Sequence, residues 1–263
     1  MRKFLFVFTL TFLFASSLVA EIKTQDVNYS ANGTSLKGYL VYDDSIEGKR
    51  PGVIIVHEWW GHNDYARKRA EMIAELGYVA LAVDMYGDGK TADHPDDAKK
   101  FMTEAFSNME LFSKKFNAGV DLLKKQPQTD PEHIAAIGYC FGGATVLGMA
   151  RAGVDLDGVV SFHGMLATET PAQKGVVKAK VLAFHGGDDP FVPQEQADAF
   201  KKEMTDAGVD FQFIVFPGVK HSFTNPGATV VGEKFELPLV YNEDADKKSW
   251  AQMQVFLKTV FSE

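Results

Sequence analysis

The chain of 263 residues holds one cysteine, Cys140. A lone thiol cannot close an internal disulfide, so a cystine-stapled scaffold is excluded and stability must come from a hydrophobic core. Positive charge is also short. Lys and Arg number 27 against 35 Asp and Glu, a formal net charge of −8, which argues against nucleic acid or an anionic membrane surface as a partner. Long apolar runs are lacking too: the richest, Phe4–Leu13, is short for a bilayer span and gives way to polar sequence soon after. Met1-Arg2-Lys3 precedes it and the small-residue stretch Ala15–Ala20 follows. That order of charge, apolar core and small residues is the pattern of a secretory leader over residues 1–20, and it predicts an exported protein, periplasmic or secreted, with no stable membrane insertion once the leader is removed. The remaining 21–263, within a composition that is 46% hydrophobic and 24% charged, suits one sizeable globular domain. No repeat, low-complexity tract or linker interrupts it.

Alternating runs at Asp26–Tyr29 and Ser35–Tyr42 flank Asn32-Gly33, a strong short-range signal for a hairpin. Val53-Ile54-Ile55-Val56 is an unbroken β-branched run of the kind buried on both faces of a parallel sheet. Strands are further expected at Tyr78–Val83, from Ile134, at Gly158–Phe162, Val181–Phe184 and Phe211–Phe216. Between them lie helical patterns at Asp64–Leu76, within Asp96–Gln126, from the turn after Tyr139 to about Arg151, at Gln194–Ala207 and at Ala245–Phe261. Strand and helix alternate throughout, which predicts an α/β fold with a doubly wound, mostly parallel sheet and helices on both faces.

The stretch Ile134–Met149 organises the rest. A short apolar run enters Gly138-Tyr139-Cys140-Phe141-Gly142-Gly143 and continues as small-residue helix, so it reads as strand, very tight turn, helix. Gly-x-Cys-x-Gly is the pattern of a nucleophile elbow with cysteine in the usual place of serine. Glycines two residues either side leave room for a strained turn, which lifts the thiol to the N-terminus of a helix, where unpaired N–H groups favour an anion. Ligands in such sheets bind beyond the carboxyl ends of the strands. Glu58, Cys140, Asp188-Asp189 and His221 all fall there, in the chain order nucleophile, acid, histidine. A thiolate attacks an acyl carbon, an imidazole moves the proton, and a carboxylate orients the imidazole. The backbone N–H groups of Trp59 and Phe141 are the candidate oxyanion hole. Trp60, Tyr86 and Phe191 are candidates for lining the pocket, together with Ser222 in the histidine loop. His57 and His62 stand five apart rather than four, so they do not share a helix face as zinc ligands would, and neither metal nor cofactor is expected. His163 and His185, at strand ends, read as structural or pocket-lining groups.

Four co-ordered segments, Val53–Gly61 (VIIVHEWWG), Gly138–Gly143 (GYCFGG), Gly186–Pro193 (GGDDPFVP) and Lys220–Phe223 (KHSF), resemble the dienelactone hydrolase family. The resemblance implies an α/β-hydrolase fold and a Cys140–His221–Asp189 triad, with Asp189 chosen over Asp188 by its place before Pro190-Phe191-Val192-Pro193. It further implies that Glu58 contacts the thiol and helps to activate it. One departure bears on substrate. Family members that cleave dienelactone hold its carboxylate with arginines, one just after the catalytic histidine, whereas here Ser222-Phe223-Thr224-Asn225 follows. Beyond the leader arginine occurs only at 50, 67, 69 and 151, and Lys90 would be at best a point-charge substitute. The expectation is therefore an exported, cofactor-free cysteine hydrolase of small-molecule esters or lactones, working through an acyl-enzyme. A thioester or peptide hydrolase on the same triad and a non-catalytic ligand-binding protein are the alternatives. A redox-sensing thiol is a third. Residues 224–241, between the histidine and the last helix, have the length and position of a lid.

Overall fold

Asn32 and Gly33 both adopt positive φ, 49° and 81°, which gives a two-residue turn whose twist matches that of the strands it joins. It closes an antiparallel ladder between Ile22–Ala31 (β1) and Thr34–Asp43 (β2), paired from Ile22 opposite Asp43 to Ala31 opposite Thr34. Both strands run beyond the alternating residues, because the backbone ladder continues from Ile22–Asp43 to Ala31–Thr34 whatever the side chains. The computed structural model describes residues 21–262; the leader expected over 1–20 lies outside them.

β2 pairs antiparallel with Val79–Val83 (β4), and all remaining strands run parallel. They are Arg50–Val56 (β3), Thr129–Tyr139 (β5), Gly158–Phe162 (β6), Lys180–Gly186 (β7) and Phe211–Phe216 (β8), in the order β1-β2-β4-β3-β5-β6-β7-β8. β5 starts five residues before Ile134 and includes Pro131, which has no N–H to give a ladder. The pairing with β3 shifts register between Pro51 and Gly52, and that irregularity accommodates it.

Alternate side chains of the central strands serve two cores. Ile54, Val56, Leu81, Val83, Ala136 and Val181 face one way. There they meet Met109–Lys124 (α3), Phe141–Arg151 (α4) and Gln194–Asp206 (α5). Val53, Ile55, Ala80, Ile137, Val160 and Leu182 face the other way, against Asp64–Ala74 (α1) and Glu243–Val260 (α7). A sheet covered on both faces is why its strands read as unbroken apolar runs.

The helical pattern between residues 96 and 126 is two helices, Pro95–Phe106 (α2) and α3. Asn108 splits them by capping α3 through Leu111 N–H at 2.9 Å. Met109 begins the new helix and is half-exposed. A further short helix, Ala228–Phe235 (α6), lies within 224–241, where Pro226, Gly227, Gly232 and Pro238 gave the sequence the look of loop. It packs with Leu239 on Trp60, Ala92 and Ala98, and Val240 N–H bonds back to His221 O at 3.1 Å. Among the described residues, no helix is long and apolar enough to cross a membrane.

From β3 the chain runs to β4 on one side and later to β5 on the other. The strand order reverses there, so the loops leaving β3 and β5 separate and open a crevice at their carboxyl ends. Replacing Gly33 by Ala forces a Cβ into left-handed backbone, and urea unfolding is expected to show a loss of about 1 kcal/mol with little change at the crevice.

Candidate active site

Cys140 follows β5 and stands at the N-cap of α4 with φ 54° and ψ −113°, a strained conformation for a residue with a side chain. The glycines around it are obligatory on steric grounds. A Cβ on Gly138 would lie 2.0 Å from Gly142 O, and one on Gly142 would lie 2.2 Å from Val56 O. The turn is therefore sealed by backbone packed on backbone. Cys140 N–H is shared between Phe162 O at 2.9 Å and His163 Nδ1 at 3.1 Å, which ties the elbow to the end of β6.

The loops after β7 and β8 bring an acid and a base to the thiol. His221 Nδ1–H donates to Asp189 Oδ2 at 2.6 Å, and both residues are buried. Asp189 Oδ1 accepts Phe191 N–H at 2.9 Å, so the carboxylate is fixed at both oxygens. The loops touch closely: a Cβ on Gly186 would meet Val219 O at 2.5 Å. The other side of the imidazole interacts with the Cys140 thiol. Burial disfavours the imidazolium, but Cys140 and Asp189 outweigh it and raise the His221 pKa to about 10.

Glu58 follows β3 and is buried. Its carboxyl accepts from Ser222 Oγ at 3.1 Å and from Asn225 Nδ2 at 2.6 Å. Burial raises its pKa, while Asn225, His221, Ser222 and Arg69 pull the other way. The hydrogen bonds of the Glu58 carboxyl thus go to the histidine loop, where the resemblance implied a contact with the thiol. Ser222, taken from the sequence as a pocket candidate, is buried and binds Glu58.

The other pocket candidates divide. Phe191 stays 39% exposed and stands edge-on to His221, ring centres 5.0 Å apart. Tyr86 donates its hydroxyl to Trp59 O at 2.8 Å, and its ring packs on Phe141 at 5.3 Å. Trp60 sits one layer back, where it packs on Trp59 and lines a cavity of about 450 Å³ with Tyr65, Asn225 and Val231. Among the described residues, no partner within the chain takes up the backbone N–H of Trp59 or of Phe141. Nor do three or more His, Cys, Asp or Glu side chains come together there as a metal site.

Several residues of this region carried no signal in the sequence. Asn225 is one. His163, read from the sequence as a structural or pocket-lining group, begins a buried polar chain behind the elbow, and its partners Thr224, Tyr65 and Arg69 are others. With Nδ1 accepting from Cys140, its Nε2–H donates to Thr224 Oγ1 at 2.7 Å, and Thr224 Oγ1 bonds Tyr65 OH at 2.7 Å. Arg69 then binds Tyr65 OH, Thr224 O and Asp246. Burial, with His221 and Arg69 nearby, keeps His163 well below the ordinary histidine range and therefore neutral. Each partner lies far off in sequence, so no local pattern could announce the chain.

The sequence pattern of the dienelactone hydrolase family matches residues 36–261. The chain belongs to that family. Its members hydrolyse esters and lactones, and this chain is such a hydrolase in kind. Protein usf of Aquifex pyrophilus is 34% identical over 207 residues, 76% of this chain and 87% of that one. An Aquifex aeolicus protein whose name proposes a carboxymethylenebutenolidase is 31% identical over 241 residues, 89% of this chain and 98% of that one. Among solved structures, the dienelactone hydrolase-like promiscuous phosphotriesterase P91 from metagenomic libraries superposes with a TM-score of 0.85 at 33% identity, covering 92% of this chain and 99% of its own.

His57, His62 and His163 are all held below the ordinary histidine range by burial. Below about pH 6.5 the unfolded chain takes up protons that these folded sites refuse, so stability is present above that pH and falls toward acid. For His62 the folded value is about 4. Equilibrium unfolding of His62→Asn is expected to show a flatter acid limb, with the two proteins differing by up to about 3 kcal/mol in pH dependence between pH 6.5 and 4.

Proposed function

We propose that this hydrolase is an exported, cysteine-dependent enzyme that cleaves uncharged esters or lactones through a covalent acyl-enzyme. The observation that carries the reading is the convergence of Cys140, His221 and Asp189 at the strand crossover. His221 Nε2 holds the thiol proton, as its raised pKa favours, so Sγ attacks the substrate carbonyl carbon as a thiolate, and the carbonyl electron pair moves onto oxygen. The oxyanion lies against the N–H groups of Trp59 and Phe141. Collapse expels the alkoxide, which takes the proton from His221; in a lactone the alcohol stays tethered to the acyl group. His221 then deprotonates water, which attacks the thioester and releases Sγ as thiolate. Asp189 holds the imidazole in the required tautomer. Glu58, electrostatically coupled to His221, favours the imidazolium and so assists thiol activation.

Two features support an uncharged substrate. Arg50, Arg67, Arg69 and Arg151 are each engaged within the fold, by Asp43 O, Asp26, Asp246 and Glu203 respectively. Apolar side chains stand open near the site, Phe191 over His221 and Phe106 against Phe141 at 5.1 Å. Neutral phosphotriesters belong in the substrate panel because P91 is described as a promiscuous phosphotriesterase. The N-terminal order of charge, apolar core and small residues supports export.

Aryl esters, simple lactones, a neutral phosphotriester and a carboxylate-bearing lactone should be assayed with wild type, Cys140→Ala and His221→Ala. Either substitution is expected to lower kcat at least about 1,000-fold, and mass spectrometry should place the acyl group on Cys140. Neutral substrates should exceed the carboxylate-bearing lactone by about 100-fold in kcat/KM. An inert wild type, with Cys140 alkylating no faster than a free thiol, would favour a ligand-binding protein on a hydrolase fold. Cleavage of thioesters or peptides in preference to esters would favour the other enzymatic reading.

A further inference from the structure

The reading above needs the Trp59 N–H aimed at the substrate oxygen, yet Trp59 lies in a loop rather than at a helix N-terminus. What fixes its direction is the opposite end of the same peptide unit. Glu58 C=O shares that plane and, in a trans peptide, points away from Trp59 N–H. It accepts two hydrogen bonds, from His57 Nδ1–H at 2.5 Å and from Gly61 N–H at 3.1 Å. Rotation of the peptide would break both.

His57 is built for this role. The ring is fully buried, and Met85 N–H donates to Nε2 at 3.3 Å. A nitrogen that accepts cannot also carry the proton, so the proton sits on Nδ1, facing Glu58 O. Burial pushes the imidazole pKa down, which keeps this neutral tautomer at ordinary pH. The ring also lies nearly parallel to Phe141, 5.5 Å between centres and 15° between planes, and Phe141 supplies the second N–H. Tyr86 meets its edge at 4.8 Å and holds the next carbonyl, Trp59 O. One imidazole thus touches both halves of the anion site. It contacts no reacting atom.

We propose that His57 is the positioning residue that sets the oxyanion hole, by locking the Glu58–Trp59 peptide with its N–H turned into the crevice. The inference rests on the hydrolase reading but concerns a different residue, and two substitutions separate orientation from packing. His57→Leu keeps bulk and loses both hydrogen bonds. His57→Asn keeps a donor near the place of Nδ1.

With a neutral aryl ester, His57→Leu is expected to lower kcat about 30- to 300-fold and leave KM within about threefold, since a hole donor matters most in the transition state. His57→Asn should recover at least about tenfold of that loss. Iodoacetamide alkylation of Cys140 requires the thiolate but forms no oxyanion, so its rate should stay within about twofold in both variants. An aliphatic aldehyde, which adds reversibly to Cys140 as a hemithioacetal, reads the hole without turnover; its Kd should rise about tenfold in His57→Leu. That measurement keeps the two readings apart. A wild type that cleaves no ester yet binds the aldehyde in a His57-dependent way would sink the substrate assignment and leave the role of His57 standing. Unchanged kcat and aldehyde binding in His57→Leu would overturn the inference. So would an equal fall in alkylation and turnover, or equal losses in the Leu and Asn variants, because each would mean packing rather than orientation.

Discussion

The approach of α4 to the end of β3 is the constraint on which the site depends. A Cβ at Gly142 would stand 2.2 Å from Val56 O and 2.7 Å from His57 O, so the two backbones meet with nothing between them. This contact joins the strands on either side of the crossover. It sets the height of Cys140 above the sheet and the distance between the backbone N–H groups of Trp59 and Phe141. The strained φ of Cys140 is held by its surroundings, since its N–H is bonded to β6 and its neighbours are glycines.

Electrostatics around the thiol are arranged by burial of unlike groups side by side. His221 is drawn toward its charged form by a thiol and a carboxylate, while His163, with centroids 5.2 Å away, is held neutral by burial and by the nearby His221 and Arg69. Two histidines in contact cannot both be charged cheaply in a low-dielectric site. The geometry assigns one to carry a proton and the other to accept a backbone hydrogen bond. Glu58 adds a third buried ionisable group, bounded by the hydroxyl of Ser222 and the amide of Asn225.

Much of the fold was legible because its determinants are local. Asn32-Gly33 announced the hairpin, β-branched runs announced the buried strands, and Gly138-Tyr139-Cys140-Phe141-Gly142 announced the elbow. Cys140, Asp189 and His221 could be named from their places after strands, and the structure sets them together. What stayed hidden depends on contacts between distant segments. Asn225 looks like any loop asparagine until Glu58, 167 residues earlier, is found against it. His57 looks like half of a failed metal motif until the carbonyl of its own neighbour is seen to need a donor. α6 hid because its glycines and flanking prolines match loop chemistry, and only packing on Trp60 and Leu239 makes the helix worthwhile.

The buried chain from Cys140 N–H through His163, Thr224, Tyr65 and Arg69 to Asp246 reaches the first turn of the C-terminal helix. Its links come from α1, β6, the histidine loop and α7, elements on which the core of one sheet face is built. The region around Cys140 therefore has no independent melting unit. Loosening α7 exposes a guanidinium and unpairs a tyrosine, a threonine and a histidine in sequence, so heat should remove structure and site in a single cooperative step. In a protein of this design, loss of function on warming reports unfolding of the scaffold itself.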